Sequence, residues 1–264
     1  MSHDCAPHDM VRDYQPRKLA DKFDGLDSSV NRYIAKAIAT NRLPRLLALT
    51  GPAGCGKGTT ARIIARRHCC EHKDRHHYDP CLECDGCRSI DKASGGTWFS
   101  AWGYTEFDAT RLNGHDIAKY IDKDSLCLSL HGGNRQLFCV DEVMRSRTGV
   151  QERLLRLAEN IRCSIMICTI EPANLMPELL ARFTHLAVRP PTRPQVVAGL
   201  QRIATAEGFE LRVEAAALVA RCYSNNPRNC TRVLGMAMVA ADGKAIDVPV
   251  IEAVLEIEGH HLEE

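Results

Sequence analysis

Aromatic residues are scarce: Phe, Trp and Tyr make up 5% of 264 positions. Strands favour aromatic and β-branched side chains, so the scarcity argues against an all-β sandwich and for a helix-rich α/β chain. An excess of either charge is also missing. The 34 Lys and Arg face 33 Asp and Glu, a net charge of +1. That excludes a polycation or an acidic tail, so any nucleic-acid contact must come from a local patch or a partner. Long hydrophobic runs are absent. The longest apolar stretches, such as Ile165–Cys168, fall far short of the ~18 residues that span a bilayer. Residues 1–18 hold no apolar run, so no signal peptide is expected. The expectation is a cytoplasmic protein with no membrane contact. No internal repeat and no low-complexity segment is visible.

Apolar residues at 45% and charged residues at 25% are the mix of an ordinary globular protein. The length suits one large domain or one plus a small one, at roughly 100–200 residues each. Cysteine is plentiful, with 13 residues. Without a secretion signal, disulfides are a poor explanation. Cys69, Cys70, Cys81, Cys84 and Cys87 cluster. Cys5, Cys55, Cys127, Cys139, Cys163, Cys168, Cys222 and Cys230 are scattered and read as small core residues.

Short apolar runs alternate with helical patterns. A helix is expected over Ser28–Ala39, a buried strand over Arg45–Thr50 and a helix over Lys57–His68. A second strand is expected within Thr97–Ala109, ending near Asp108. Strands are expected at Gln136–Val140, Ser164–Thr169 and Thr184–Val188, with a helix over Val150–Glu159. This alternation predicts a parallel sheet covered on both faces. Three prolines between Arg189 and Pro194 mark a linker. Beyond it four helices are expected: Gln195–Glu207, Val213–Tyr223, Arg228–Ala241 and Val248–Glu258. The expected fold is an α/β domain over 1–190, with a cysteine-rich insertion at about 69–90, followed by a small helical domain over 191–264.

Three motifs carry chemistry. The first runs from Gly51 through Gly54 and Gly56 to Lys57, Gly58 and Thr59, after a strand and into a helix. Glycines let successive N–H groups turn inward on a triphosphate, the helix start adds partial positive charge, and Lys57 reaches the terminal phosphates. This P-loop spacing predicts ATP binding. Gly58 stands where Ser or Thr usually offers a hydroxyl to Mg²⁺. Thr59 is about 100° further round the helix, so magnesium is expected through water or through Thr59.

The second motif is the pair Asp141-Glu142 closing an apolar strand. Asp141 is expected to bind Mg²⁺. Glu142 is expected to activate the water that attacks the γ-phosphate. The third is Cys70, Cys81, Cys84 and Cys87, two overlapping Cys-x-x-Cys pairs with a distant fourth thiol. Four thiolates with no open position suit a structural Zn²⁺. Cys69 is the rival to Cys70, and His68, His72, His76 and His77 are weaker rivals. Arg66, Arg67, Lys73 and Arg75 lie among these histidines and read as an exposed helix end.

A P-loop, a four-cysteine module directly after its helix, and Asp141-Glu142-Val143 together resemble the AAA+ clamp-loader ATPases of the bacterial DNA polymerase III gamma/tau type. The segment from Tyr14 to Arg17 is similar to the family's N-terminal segment, and Phe107–Ala109 to its Ile-Asp-Ala strand. By resemblance, Thr169 is the sensor 1 residue that meets the γ-phosphate. Arg182, in Leu179–Phe183, is the finger acting on a neighbour's ATP. Arg228, after Asn226-Pro227, is sensor 2 on the lid. The resemblance spans about residues 14–255. It implies partners: other clamp-loader subunits, a sliding clamp and primed DNA. The family's helical collar has no room here, so a collar-bearing partner is expected for a stable oligomer. Two rivals stay open. One is a non-hydrolysing, nucleotide-bound scaffold subunit. The other, less favoured, is a nucleoside monophosphate kinase, suggested by the Gly-Lys-Gly-Thr string.

Overall fold

The computed structural model describes residues 9–75, 77–91, 98–101, 103–110, 136–146, 148–159, 163–241, 243 and 245–259. Cys5, His76 and Cys127 lie outside the described residues. A short helix α1 (Met10–Asp13) is capped by Asp9. It leads through two 3-10 turns to α2 (Ser29–Ala39) and the first strand, β1 (Leu46–Thr50). Helix α3 (Lys57–Cys69) and the short α4 (Asp85–Asp91) flank the cysteine-rich segment. Then come β2 (Trp98–Ala101), β3 (Tyr104–Asp108), β4 (Gln136–Asp141), α5 (Thr148–Glu159), β5 (Cys163–Thr169), α6 (Pro177–Leu180) and β6 (Thr184–Ala187).

These strands form one sheet in the order β2-β3-β4-β5-β1-β6. From β3 to β6 every pairing is parallel; β2 runs antiparallel to β3. Side chains alternate between the two faces. Leu47 and Leu49 of β1 join Ile34 of α2 and Ile63 and Ile64 of α3 on one face. Ala48 joins Ile165, Ile167, Val150 and Leu154 on the other. Burial on both faces is why β1, β4 and β5 are continuous apolar runs in the sequence.

Thr97–Ala109 differs from expectation. Not one strand but a hairpin lies there, because Gly103, at φ 93°, lets the chain reverse between β2 and β3. The linker also ends earlier than its prolines suggest. Helix α7 (Arg193–Ala206) contains Pro194 in its first turn, where a missing N–H costs nothing. Thr192 and Gln195 close a capping box there.

The rest is helical: α8 (Val213–Cys222), α9 (Pro227–Ala240) and α10 (Val248–Ile257). One parallel pair of two-residue strands, β7 (Glu210–Leu211) and β8 (Ala245–Ile246), joins the loops between them. Helices α7 to α10 share a core around Leu200, Val219, Leu234 and Leu255. Met10 packs into this core, so the N-terminal segment bridges the helices and the sheet. The Tyr14 hydroxyl donates to Glu207 at 2.5 Å, and Gln15 Nε2 lies 3.5 Å from Thr59 Oγ1. Among the described residues, no helix is long and apolar enough to cross a membrane.

Candidate functional site

The turn from β1 into α3 is built by glycines. Gly51, Gly54 and Gly56 hold φ of 146°, 73° and 100°, values that side chains on L-residues resist. At Gly51 a Cβ would stand 2.1 Å from the carbonyl oxygen of Val188. The loop is therefore pressed against the end of β6 and curls as an anion cradle requires. Helix α3 begins with no side-chain cap, since Gly56 has no side chain to give. Its first N–H groups and its dipole are left to an anion. Lys57 is the first helical residue. Its ammonium donates to the carbonyls of Gly51 at 2.9 Å and Pro52 at 2.8 Å, lying along the loop.

A Cβ at Gly58 would meet nothing within 4 Å, so the missing hydroxyl is not a steric demand. Thr59 faces Gln15 on the N-terminal segment. The next threonine is tied into the scaffold: Thr60 Oγ1 donates to Gly56 O at 2.9 Å and accepts from Lys22 Nζ at 3.1 Å.

Strand β5 lies between β1 and β4, and the chemistry of all three converges at their C-terminal ends. Thr169 is the last residue of β5 and pairs in register with Thr50. It is buried, its carbonyl accepts from Gly51 N at 3.3 Å, and its Oγ1 accepts from Glu171 N at 3.2 Å. Asp141 ends β4 beside Asp108 of β3. Burial holds the Asp141 carboxyl above the usual aspartate range; nearby Glu142 and Glu106 push the same way, against the Glu142 N–H and Lys57. Its Oδ1 accepts from Glu142 N at 3.0 Å. Glu142 itself holds a left-handed backbone, φ 56°, and such outliers gather at functional sites. Its Oε2 is buried and lies 3.4 Å from Arg145 Nε, an ion pair without hydrogen-bond geometry.

The two arginines lie apart from this cluster's strands. Arg182 follows α6 and pairs with Glu159 of α5 at 3.0 Å. Arg228 is exposed in the first turn of α9. The preceding Asn226 caps that helix and donates its Nδ2 to the Ala53 carbonyl, so the helical region touches the phosphate loop.

Sequence reasoning passed over Lys22. Its ammonium is buried beneath the loop with Asn31 Oδ1 at 3.0 Å and Asp24 Oδ1 at 3.6 Å. Desolvation lowers its pKa, opposed by the charge of Asp24. A lysine between two aspartates reads as solvated, and its partner Thr60 is 38 residues away, so no local signal reveals it. Asn226 was passed over in the same way; its Asn-Pro context announces only a cap.

The Sγ atoms of Cys70, Cys81, Cys84 and Cys87 all lie within 4.8 Å of one another. Cys81 and Cys87 are 3.9 Å apart; tetrahedral sulfurs around zinc, at Zn–S of about 2.3 Å, stand about 3.8 Å apart. Backbone N–H groups point at the sulfurs: Glu71 and Cys87 at Cys84, Glu83 and Cys84 at Cys81, each 3.4 Å. Burial pushes the Cys81 thiol up, but the donors from Cys84, Glu83 and His72 outweigh it and bring it to about 6. The donors favour a thiolate at Cys81, whereas burial raises the Cys70 and Cys87 thiols, whose protons a metal displaces on binding. The cluster is compatible with zinc. Cys69 is turned into the main core, and burial raises its thiol to about 12.

Strand, glycine loop and helix, an acidic strand end two strands away and a helical C-terminal region define a P-loop fold of the AAA+ class. RuvB of Thermotoga maritima, a Holliday junction branch migration motor, shares this fold with a TM-score of 0.64 and 18% identity, over 94% of this chain and 73% of that one. The family described as DNA polymerase III, delta subunit, matches residues 27–192, and the chain belongs to it. Among similar proteins, DNA polymerase III subunit tau of Bacillus subtilis is 23% identical over 87% of this chain and 39% of its own length. DNA polymerase III subunit gamma/tau of Mycobacterium tuberculosis is 26% identical over 88% of this chain and 39% of its own. STICHEL-like 1 of Arabidopsis thaliana is 25% identical over 89% and 21%. The chain spans about two fifths of the length of the tau and gamma/tau relatives.

Proposed function

We propose that the chain is an ATP-binding and ATP-hydrolysing subunit of clamp-loader type, acting in DNA replication in the cytoplasm. One observation carries this reading. The left-handed glycine loop, Lys57, the buried Thr169 and the half-buried Asp141 lie at the ends of three adjoining strands, as phosphoryl transfer from a nucleotide requires. The names of the tau and gamma/tau relatives support the replication context.

In this reading Gly51, Gly54, Gly56, Lys57, Gly58 and Thr59 hold the phosphates of ATP. Asp141 holds magnesium, which neutralises charge on the phosphates when bound. Glu142 orients and deprotonates the attacking water. Thr169 and Arg228 contact the terminal phosphate, and Arg182 serves a neighbouring subunit. Zinc on Cys70, Cys81, Cys84 and Cys87 fixes the module after α3 and takes no part in the chemistry. We divide the chain into an ATPase domain over 1–190 and a lid over 191–264. The partners of this reading are other clamp-loader subunits, with a sliding clamp and primed DNA.

Gly58 favours a second reading, a nucleotide-bound subunit that hydrolyses slowly or not at all, because the hydroxyl that usually meets magnesium is absent there. Equilibrium binding of ATP tests what both readings share. The wild-type chain should bind ATP and Lys57→Ala should lose binding; equal binding by the two proteins would rule out the phosphate loop as the site.

A further inference from the structure

Asn226 makes two kinds of contact at once. Its Oδ1 accepts from the backbone N–H of Arg228 at 3.1 Å and of Asn229 at 3.4 Å, capping α9. Its Nδ2 donates to the Ala53 carbonyl in the phosphate loop at 2.9 Å. The approach is close: a Cβ on Gly54 would stand 2.4 Å from Asn226 Oδ1. The chain bends to deliver this side chain. Ser224 and Asn225 both hold left-handed backbone, at φ of 50° and 58°, a region that residues with a side chain seldom occupy. The turn is fixed by Asn225 N on Ala220 O at 2.8 Å and Asn226 N on Tyr223 O at 2.9 Å. The left-handed pair ends α8 in a C-terminal cap closed by Asn225 N on Ala220 O, and the next residue, Asn226, is shared between a cap and the loop. Asp247 caps α10 with no such turn.

We propose that Asn226 is a positioning residue for the nucleotide site: its amide ties the first turn of α9, and with it Arg228, to the phosphate loop. The proposal deepens the nucleotide reading above and rests on it. Arg228 stands two residues beyond the bridge on a helix start that one hydrogen bond fixes against Ala53. Held there, Arg228 and Lys57 serve the same nucleoside triphosphate. Released, the helix start no longer has a set distance to the phosphates. Asn226 touches no phosphate itself and acts through Arg228.

Asn226→Ser and Asn226→Asp test this. Both residues cap helices well, and both lose the amide donor. Asp keeps the shape and adds a charge; Ser adds none, so an effect common to both is not electrostatic. Titration with a fluorescent N-methylanthraniloyl-ATP should show both variants binding roughly two- to tenfold more weakly, the range of one lost hydrogen bond. Melting temperatures should stay near wild type. In an Arg228→Ala background the same substitutions should change affinity by less than about twofold, because the group they position is gone. Wild-type affinity in both variants, or an undiminished loss in the Arg228→Ala background, would overturn the proposal. A wild-type chain that binds no analogue at all would instead sink the nucleotide reading on which it rests.

Discussion

The Lys22 ammonium lies 3.1 Å from the Thr60 hydroxyl, and Thr60 in turn donates to the carbonyl of Gly56 at 2.9 Å. A buried cation thus supports the phosphate loop from beneath. Asn31 joins Lys22 to Asp24 within the same network, through Oδ1 to the lysine and Nδ2 to the aspartate at 3.1 Å. Removing one partner of a buried pair leaves the other uncompensated, at a cost of about 3–5 kcal/mol. Lys22→Ala should lower the unfolding free energy by about that amount in urea denaturation. Lys22→Met, which keeps the volume, should still lose stability because Asp24 remains. A loss under about 1 kcal/mol for Lys22→Ala, the worth of an exposed pair, would mean that the network does not hold the loop.

Asp141 offers the opposite case. Its folded pKa is raised by burial and by Glu142 and Glu106, so its proton binds more tightly in the folded chain than in the unfolded one. The stabilising linkage is present below the ordinary aspartate value of about 3.9 and is lost as pH rises through the folded pKa. Ionisation of the carboxyl as pH rises therefore weakens the fold. Asp141→Asn should raise the melting temperature near pH 7, and the gain should shrink as the pH falls toward about 4. The same substitution should weaken magnesium-dependent ATP binding. A melting temperature that falls equally at both pH values would contradict the assignment of strain to this charge.

The cysteine cluster predicts metal content. The purified chain should carry about one equivalent of zinc by elemental analysis. Cys84→Ser should release it and lower thermal stability, while ATP binding is largely spared because the module follows the far end of α3. Cys69→Ser should keep the metal, since that thiol packs in the main core. A fully folded wild type without zinc would refute the site.

Much of this was legible in the sequence, and the reasons differ by element. The glycine spacing from Gly51 to Gly56 speaks directly because positive φ excludes most other residues, and all three glycines hold it. Strands β1, β4 and β5 are legible because burial on both faces leaves unbroken apolar runs. The turn at Gly103 was not, since one glycine in an apolar stretch does not announce a reversal. Pro194 misled because a proline that ends one element also starts another. Lys22 and Asn226 stayed hidden for a single reason. Each acts across a long sequence separation, 38 residues to Thr60 and 173 to Ala53, and a polar side chain gives no sign of which distant backbone it will meet.

Arg182 pairs with Glu159 on its own chain at 3.0 Å and is free to serve a neighbour only when that exposed pair opens. In GTPases an arginine finger contributes about 10³–10⁵ in rate. Specific ATPase activity should therefore rise with protein concentration. Arg182→Ala should bind ATP normally yet fail to stimulate a neighbour. Mixed with Lys57→Ala it should recover part of the activity, because each protein supplies what the other lacks. Turnover by a strict monomer, unchanged by Arg182→Ala, would place the arginine outside the chemistry.

The account stands or falls on Glu142 as the base of an ATPase. The most direct measurement is ATP affinity and single-turnover hydrolysis, side by side, for wild type and Glu142→Gln. The amide keeps the shape of the side chain and cannot accept the proton from water, so affinity should stay within about twofold while turnover falls by about 10²–10⁴. Hydrolysis by Glu142→Gln at the wild-type rate would show that the base lies elsewhere.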